Sequence, residues 1–333
     1  MLGLVIAFLT FFIAPCIFSG AFVFGQNSVE DRTKKLEDAL ELIQRELAEL
    51  KQLNQDQRIR EDSEEDWERP RDNRAPSRLP RLDEVKPIPI EDASAGEVMT
   101  VSIAGVNVRF RWCPAGTFMM GSPEDEDGRS DNETQHEVTL TRGFWLAETE
   151  TTQELWEAIM GDNRSAFKGA VLPVECVSWY DCQEFIDKIQ RYAPSGLNFQ
   201  LPSEAHWEYA CRAGTTGSYN VSGASLDSLA WYGNNSDDRT HPVGRKTPNA
   251  WGFYDMHGNV SEWCSDRYGD YSIGSVTNPR GAGGGFDRVK RGGNYCCDPW
   301  GSRSACRDLG CPPECRVGHI GFRLELDASS GIR

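Results

Sequence analysis

Thiols and paired carboxylates are the reactive side chains that stand out in this chain. Ten cysteines, at positions 113, 176, 182, 211, 264, 296, 297, 306, 311 and 315, follow a separate Cys16. Thiols in such number pair as disulfides or bind a soft metal. The trio Cys306, Cys311 and Cys315 lacks the paired C-x-x-C knuckle of a zinc site, and no histidine stands at ligand spacing. Disulfides are therefore expected, with Cys176–Cys182 and Cys211 to a member of the C-terminal cluster as the suggested pairs. Adjacent Cys296 and Cys297 either form a strained vicinal bridge or go to different partners.

The second group is Asp255-Met256-His257-Gly258-Asn259-Val260-Ser261-Glu262-Trp263, in which two carboxylates seven residues apart bracket a Gly-Asn turn. Hard oxygens of this kind suit calcium. The same spacing also serves an ordinary solvated turn, and it is not an EF-hand. Other motifs are excluded. The run Gly281-Ala282-Gly283-Gly284-Gly285 is followed by Phe286 and no helix, so it is not a dinucleotide loop. The histidines at 136, 206, 241, 257 and 319 are scattered and no nucleophile elbow is present, which argues against a hydrolytic triad.

Several elements must hold these groups. Strand patterns cover Thr100–Ile103, Val106–Trp112, His136–Leu140 and Phe144–Ala147. Thr152 is placed to cap a helix over Gln153–Met160, and Ser178 precedes a second over Tyr180–Tyr192 with Phe185 and Ile189 on its apolar face. A third is expected over Ser203–Ala213, stopped by Gly214. From Thr215 to about Val289 turn residues dominate. The fold class is therefore α+β with little regular structure, and its 32 glycines and 10 tryptophans fit a loop-rich domain with aromatic pins. That domain is expected over residues 98–326, followed by a tail over 327–333.

Upstream, residues 1–25 carry no charged side chain and read as a signal peptide or an uncleaved membrane anchor, so the protein is expected to be exported: periplasmic, secreted or membrane-anchored facing an oxidising compartment. Val29, Thr33, Leu36, Leu40, Ile43, Leu47 and Leu50 alternate by four and three, which predicts a short coiled coil within 28–54 and self-association over 29–53; a lone amphipathic helix is the alternative. Residues 55–97 are charged and proline-rich and read as a disordered linker. With 51 acidic against 35 basic residues, a net charge of −16 and a pI of 4.8, the chain lacks the basic footprint of a nucleic-acid binder.

Seven segments in order carry a resemblance: Trp112-Cys113-Pro114-Ala115-Gly116-Thr117-Phe118-Met119-Met120-Gly121-Ser122, Glu148-Thr149-Glu150-Thr151-Thr152, Pro173-Val174-Glu175-Cys176-Val177-Ser178-Trp179, Leu201 to Arg212, Gly258 to Trp263, Arg291-Gly292-Gly293 and Gly321-Phe322-Arg323. Together they resemble the formylglycine-generating enzyme, or sulfatase-modifying factor, family. The resemblance implies a C-type-lectin-like core held by calcium and aromatic packing. It also implies the founding activity, copper- and O2-dependent oxidation of a sulfatase cysteine to formylglycine at two cysteines spaced five apart. Cys297 matches the first of these; the second falls on Ser302, a hard hydroxyl, and Asn294 replaces the family's serine. Cys296 and Cys306 are the surrogates for the missing ligand. The calcium ligands implied are the side chains of Asp255 and Glu262 and the carbonyls of Gly258 and Val260. The family's other calcium site is not expected, because Ala230 stands where an amide ligand belongs. An iron-dependent relative of the ergothioneine branch would need a helical domain that the charged linker cannot supply. The reading is thus an exported domain that binds a protein or peptide without redox turnover, with a sulfatase-directed copper oxidase as the alternative.

Overall fold

The computed structural model describes residues 93–220 and 225–328. The apolar segment 1–25, the coiled coil of 28–54 and nearly all of the 55–97 linker lie outside the described residues. Among the described residues no helix is long and apolar enough to cross a membrane.

Strand β5 (Phe144–Ala147) reads Phe-Trp-Leu-Ala, and all four residues are buried. A continuous apolar run of this kind belongs to a strand covered on both faces. Trp145 and Ala147 enter one hydrophobic core, while Phe144 and Leu146 enter another. The strand lies at the centre of a five-stranded sheet with β1 (Val98–Ile103), β2 (Val106–Cys113), β6 (Leu197–Gln200) and β11 (Glu325–Ala328), in the order β1-β2-β5-β11-β6. All the pairs are antiparallel.

The first core packs this sheet against helices α1 (Gln153–Met160) and α2 (Trp179–Ile189), with Trp156 stacked on Phe185 at 5.2 Å. The second lies under α3 (Glu204–Arg212) and a three-stranded sheet of β3 (Gly116–Met120), β4 (His136–Leu140) and β8 (Val276–Thr277). A third sheet joins β7 (Ser261–Arg267) to β9 (Arg288–Arg291) and β10 (Ile320–Gly321). One further short helix, α4, covers Leu226–Leu229.

The three predicted helices form where their caps place them. Thr152 accepts from the Leu155 amide, and Ser203 from that of His206. Ser178 and Asp181 make a reciprocal capping box, with Ser178 Oγ accepting from Asp181 N at 3.1 Å and Asp181 Oδ2 from Ser178 N at 2.8 Å. The four predicted strands also form. Strand β7 was not anticipated, because Ser-Glu-Trp-Cys-Ser-Asp-Arg reads as a polar turn; six of its seven residues are nevertheless not exposed, since its charges meet partners inside the protein.

The ten cysteines in the domain are free thiols, and neither suggested pairing is formed. Cys182 is sealed within α2 in the first core, whereas burial and the adjacent Glu175 carboxylate raise the Cys176 pKa to about 11. Cys211 faces the Met256 carbonyl and His257 Nε2, each at 3.8 Å.

Replacing Ser178 by Ala removes one half of the capping box and is expected to cost about 1 kcal/mol. Urea unfolding reads this as a lower midpoint at unchanged slope.

Candidate functional site

The turn that carries the predicted cysteines begins where β9 ends. Gly292 and Gly293 have φ of 100° and 68°, a region costly for any side chain. A Cβ on Gly293 would lie 2.7 Å from the Gly301 carbonyl and 2.8 Å from Ser302 Oγ, so glycine lets residues 301 and 302 fold directly onto it. Asn294 then organises the turn. Its Nδ2 donates to Ser261 Oγ at 3.0 Å, and its Oδ1 accepts from the amide of Cys296 at 3.1 Å and from the Cys296 thiol at 3.0 Å. Asn294 therefore ties up the exposed Cys296 thiol.

Cys297 is half-buried, and a Cβ on Gly301 would meet its Sγ at 3.4 Å. Ser302 is fully buried, and its Oγ has no hydrogen-bond partner. Its carbonyl accepts from His257 Nδ1 at 2.7 Å, while His257 Nε2 accepts from the Asn220 amide at 3.3 Å. That network assigns the tautomer. Burial pulls the His257 pKa down to about 4, so the ring is neutral.

Burial pushes the thiols the other way. It raises Cys297, with the neighbouring Cys296 acting in the same direction, and it raises Cys296, reinforced by Asp238. Cys306 is raised to about 11 by burial and by the charge of Glu133. None of the three is poised as a thiolate. Lys290 pairs with Asp308 beside this turn, and His319 is held below its usual pKa by burial and then by Lys290. Trp300 is 52% exposed next to it. Lys290, Asp308 and His319 are scattered along the sequence, and no spacing could have brought them to notice.

The acidic loop adjoins the turn: the Gly258 amide donates to the Gly292 carbonyl at 2.7 Å, and that of Tyr295 to the Asn259 carbonyl at 2.9 Å. Gly258 sits so close to Trp231 that a Cβ would lie 2.2 Å from its carbonyl oxygen. Glu262 is gripped by Arg323 at 2.6 and 2.7 Å and receives Trp207 Nε1 at 2.8 Å. Asp255 Oδ2 accepts from Gly244 N at 2.7 Å, but its buried Oδ1 has no partner. Burial raises the Asp255 pKa to about 6.

A third carboxylate escaped the sequence reading. Glu150 accepts from Asn259 Nδ2 at 2.6 Å and from Val260 N at 3.0 Å, and burial with the charges of Asp255 and Glu262 raises its pKa. It stood in a quoted motif, but only the fold carries it to this loop. Three buried carboxylates thus face one guanidinium. Among the described residues no set of three or more His, Cys, Asp or Glu side chains is placed to hold a metal together.

Both loops rest on α3. Arg291 reaches Glu204 at 2.8 Å and Glu208 at 2.6 Å, and Arg307 reaches Glu204 at 2.6 Å, all buried. Charges surround Glu204 so completely that its carboxyl is lowered despite burial. Asp266, which accepts from the Glu204 amide at 3.1 Å, goes the opposite way, to about 6, through burial and the charge of Glu204.

Residues 107–328 match the Sulfatase-modifying factor enzyme 1-like domain. The chain belongs to that family. It is 33% identical over 178 residues to the Chaperone protein LppX of Paenibacillus barcinonensis, covering 38% of this chain and 63% of that protein. It is 30% identical over 213 residues to the mouse formylglycine-generating enzyme, covering 58% and 53%. The chain thus spans less than two thirds of the length of either relative. Among solved structures, PvdO from Pseudomonas aeruginosa matches with a TM-score of 0.63 at 28% identity, over 71% of this chain and 99% of that one. The α+β architecture expected from the sequence is that of the sulfatase-modifying factor family.

The Asp266 carboxyl keeps its proton when folded up to about pH 6 and loses it near pH 4 when unfolded. Its contribution is therefore complete below pH 4 and lost as pH rises through 6. Compared with the wild type, Asp266→Asn is expected to gain on the order of 2 kcal/mol in relative stability between pH 4 and pH 7. Parallel stability curves for the two proteins would refute the assignment.

Proposed function

We propose that this sulfatase-modifying factor domain acts as a binding module for a protein or peptide ligand in an exported protein, without copper turnover. The observation that carries the reading is Ser302. At the position where the family resemblance calls for a second soft thiolate, a hard hydroxyl is buried without a partner and its backbone is pinned by His257. Copper therefore does not fit. The surrogate Cys296 does not repair the loss, because its thiol is bonded to Asn294. The half-exposed Trp300, whose ring lies against Gly128, supplies an apolar contact point of the kind a peptide uses. A relative named as a chaperone supports roles for this family beyond oxidation.

The competing reading, a copper- and O2-dependent oxidase acting on sulfatases, draws on the relatives named formylglycine-generating enzyme and on the Cys296 thiol adjoining Cys297. Calcium fits better than copper. The unpartnered Asp255 Oδ1 and the excess of buried negative charge suit a divalent cation held by Asp255 with the carbonyls of Gly258 and Val260. Glu262, already gripped by Arg323, would contribute mainly charge. Such an ion would brace the loop that supports the 294–297 turn.

Two measurements follow. Cu(I) titration of the full chain beside Cys297→Ser, with O2-dependent turnover of a Cys-x-Pro-x-Arg peptide, is expected to show neither stoichiometric copper binding nor aldehyde. Aldehyde formation lost in the variant would establish the oxidase instead. Calcium is expected to raise the melting temperature of the wild type but not of Asp255→Ala; equal responses would remove calcium from this loop.

A further inference from the structure

Cys311 and Cys315 lie away from both loops and enter none of the readings above. They bracket Pro312-Pro313-Glu314, and the chain turns back there, with the Cys315 amide donating to the Pro312 carbonyl at 2.9 Å. The turn returns the chain so that the Cys315 side chain lies near enough to act on the Cys311 thiol. Both flanks are anchored. Cys311 exchanges both of its backbone hydrogen bonds with Arg288 at the start of β9, at 2.8 and 3.1 Å, and the Pro313 carbonyl accepts from the Trp179 amide at 2.9 Å. Both cysteines pack against the first core yet remain half-buried, within reach of a small reagent.

The other thiols are placed differently. Cys113, Cys182, Cys211 and Cys264 are sealed in the interior, Cys176 lies beside the Glu175 carboxylate, Cys296 is bonded to Asn294, and the half-buried Cys297 and Cys306 belong to the candidate site.

We infer that Cys311 and Cys315 are a redox site that closes to an intrachain disulfide by exchange with a small-molecule disulfide. The thiolate of one cysteine attacks the reagent's S–S bond, forming a mixed disulfide and expelling one reagent thiolate. The second cysteine releases its proton to solvent and attacks the mixed disulfide, expelling the other. Two protein thiols are oxidised and one reagent disulfide is reduced to two thiols. Burial, and then the neighbouring Cys315, raise the Cys311 pKa to about 12, so attack through Cys311 is slow at neutral pH. Closing the ring fixes the 311–315 turn against β9, whose Lys290 grips Asp308 beside the Cys297 turn.

The test uses the full chain equilibrated with glutathione disulfide, quenched with iodoacetamide and digested with trypsin. The peptide Asp308–Arg316 contains these two cysteines and no other. It is expected to lose both alkyl groups and the mass of two hydrogens, and to regain both alkyl groups after dithiothreitol. In Cys311→Ser, the same peptide is expected to carry one glutathione on Cys315. Full alkylation of both cysteines in excess glutathione disulfide would overturn the proposal, as would recovery of either cysteine joined to a different peptide. Because the readout is a peptide mass, it is independent of whether the neighbouring site binds or turns over a substrate.

Discussion

Buried arginine is the interaction on which this structure depends. Arg291, Arg303 and Arg323 are among the largest side chains with essentially no exposure, and each is paired with buried glutamate. A chain with so little regular structure has many carbonyls that no helix or strand will satisfy. A guanidinium offers five donors in a rigid fork, enough to hold a carboxylate and carbonyls together. Arg291 bonds Ser304 O, Arg303 bonds Gly128 O, Arg323 bonds Ala147 O and Tyr254 O, and Arg212 bonds Gly121 O and Gly217 O. Indoles do the same on a smaller scale, with Trp179 reaching Cys264 O and Trp263 reaching Val177 O. Removing one member of such a pair leaves its partner charged and buried, at a cost of about 3–5 kcal/mol. The irregular loops are therefore as tightly specified as the sheets.

This explains why the two candidate loops behave as one unit. The arginine at the end of β9 is fixed on α3, the two glycines after it turn the chain, and the resulting turn is hydrogen-bonded to the acidic loop through Gly258 and Tyr295. Glu150, arriving from the far end of β5, holds the acidic loop from its other side. The position of the Cys297 thiol thus depends on elements more than a hundred residues apart.

Much of this scaffold was legible in the sequence. The helices declare themselves through Thr152, Ser178 and Ser203, whose caps form in the structure, and β5 through an apolar run with no polar face. The ordered motifs identified the family. What could not be read was pairing at a distance. A lone sequence gives Glu262 and Arg323 as two charges, not as a bidentate pair, so β7 looked like a solvated turn and Glu262 like a free ligand. Cysteine pairing failed for the same reason: short separation along the chain suggested Cys176 and Cys182, but Cys182 points into a helix-backed core.

The order of the central sheet bears on how the protein is made. Strand β11 sits between β5 and β6, although it is synthesised more than a hundred residues after either. Until it emerges from the ribosome, both neighbours present open hydrogen-bonding edges, and two half-built cores keep apolar side chains in water. Leu326, with no exposure in the finished fold, is among the residues that close this gap. Sheet completion is consequently a late and cooperative event, and the nascent chain must be kept from pairing with others until it occurs.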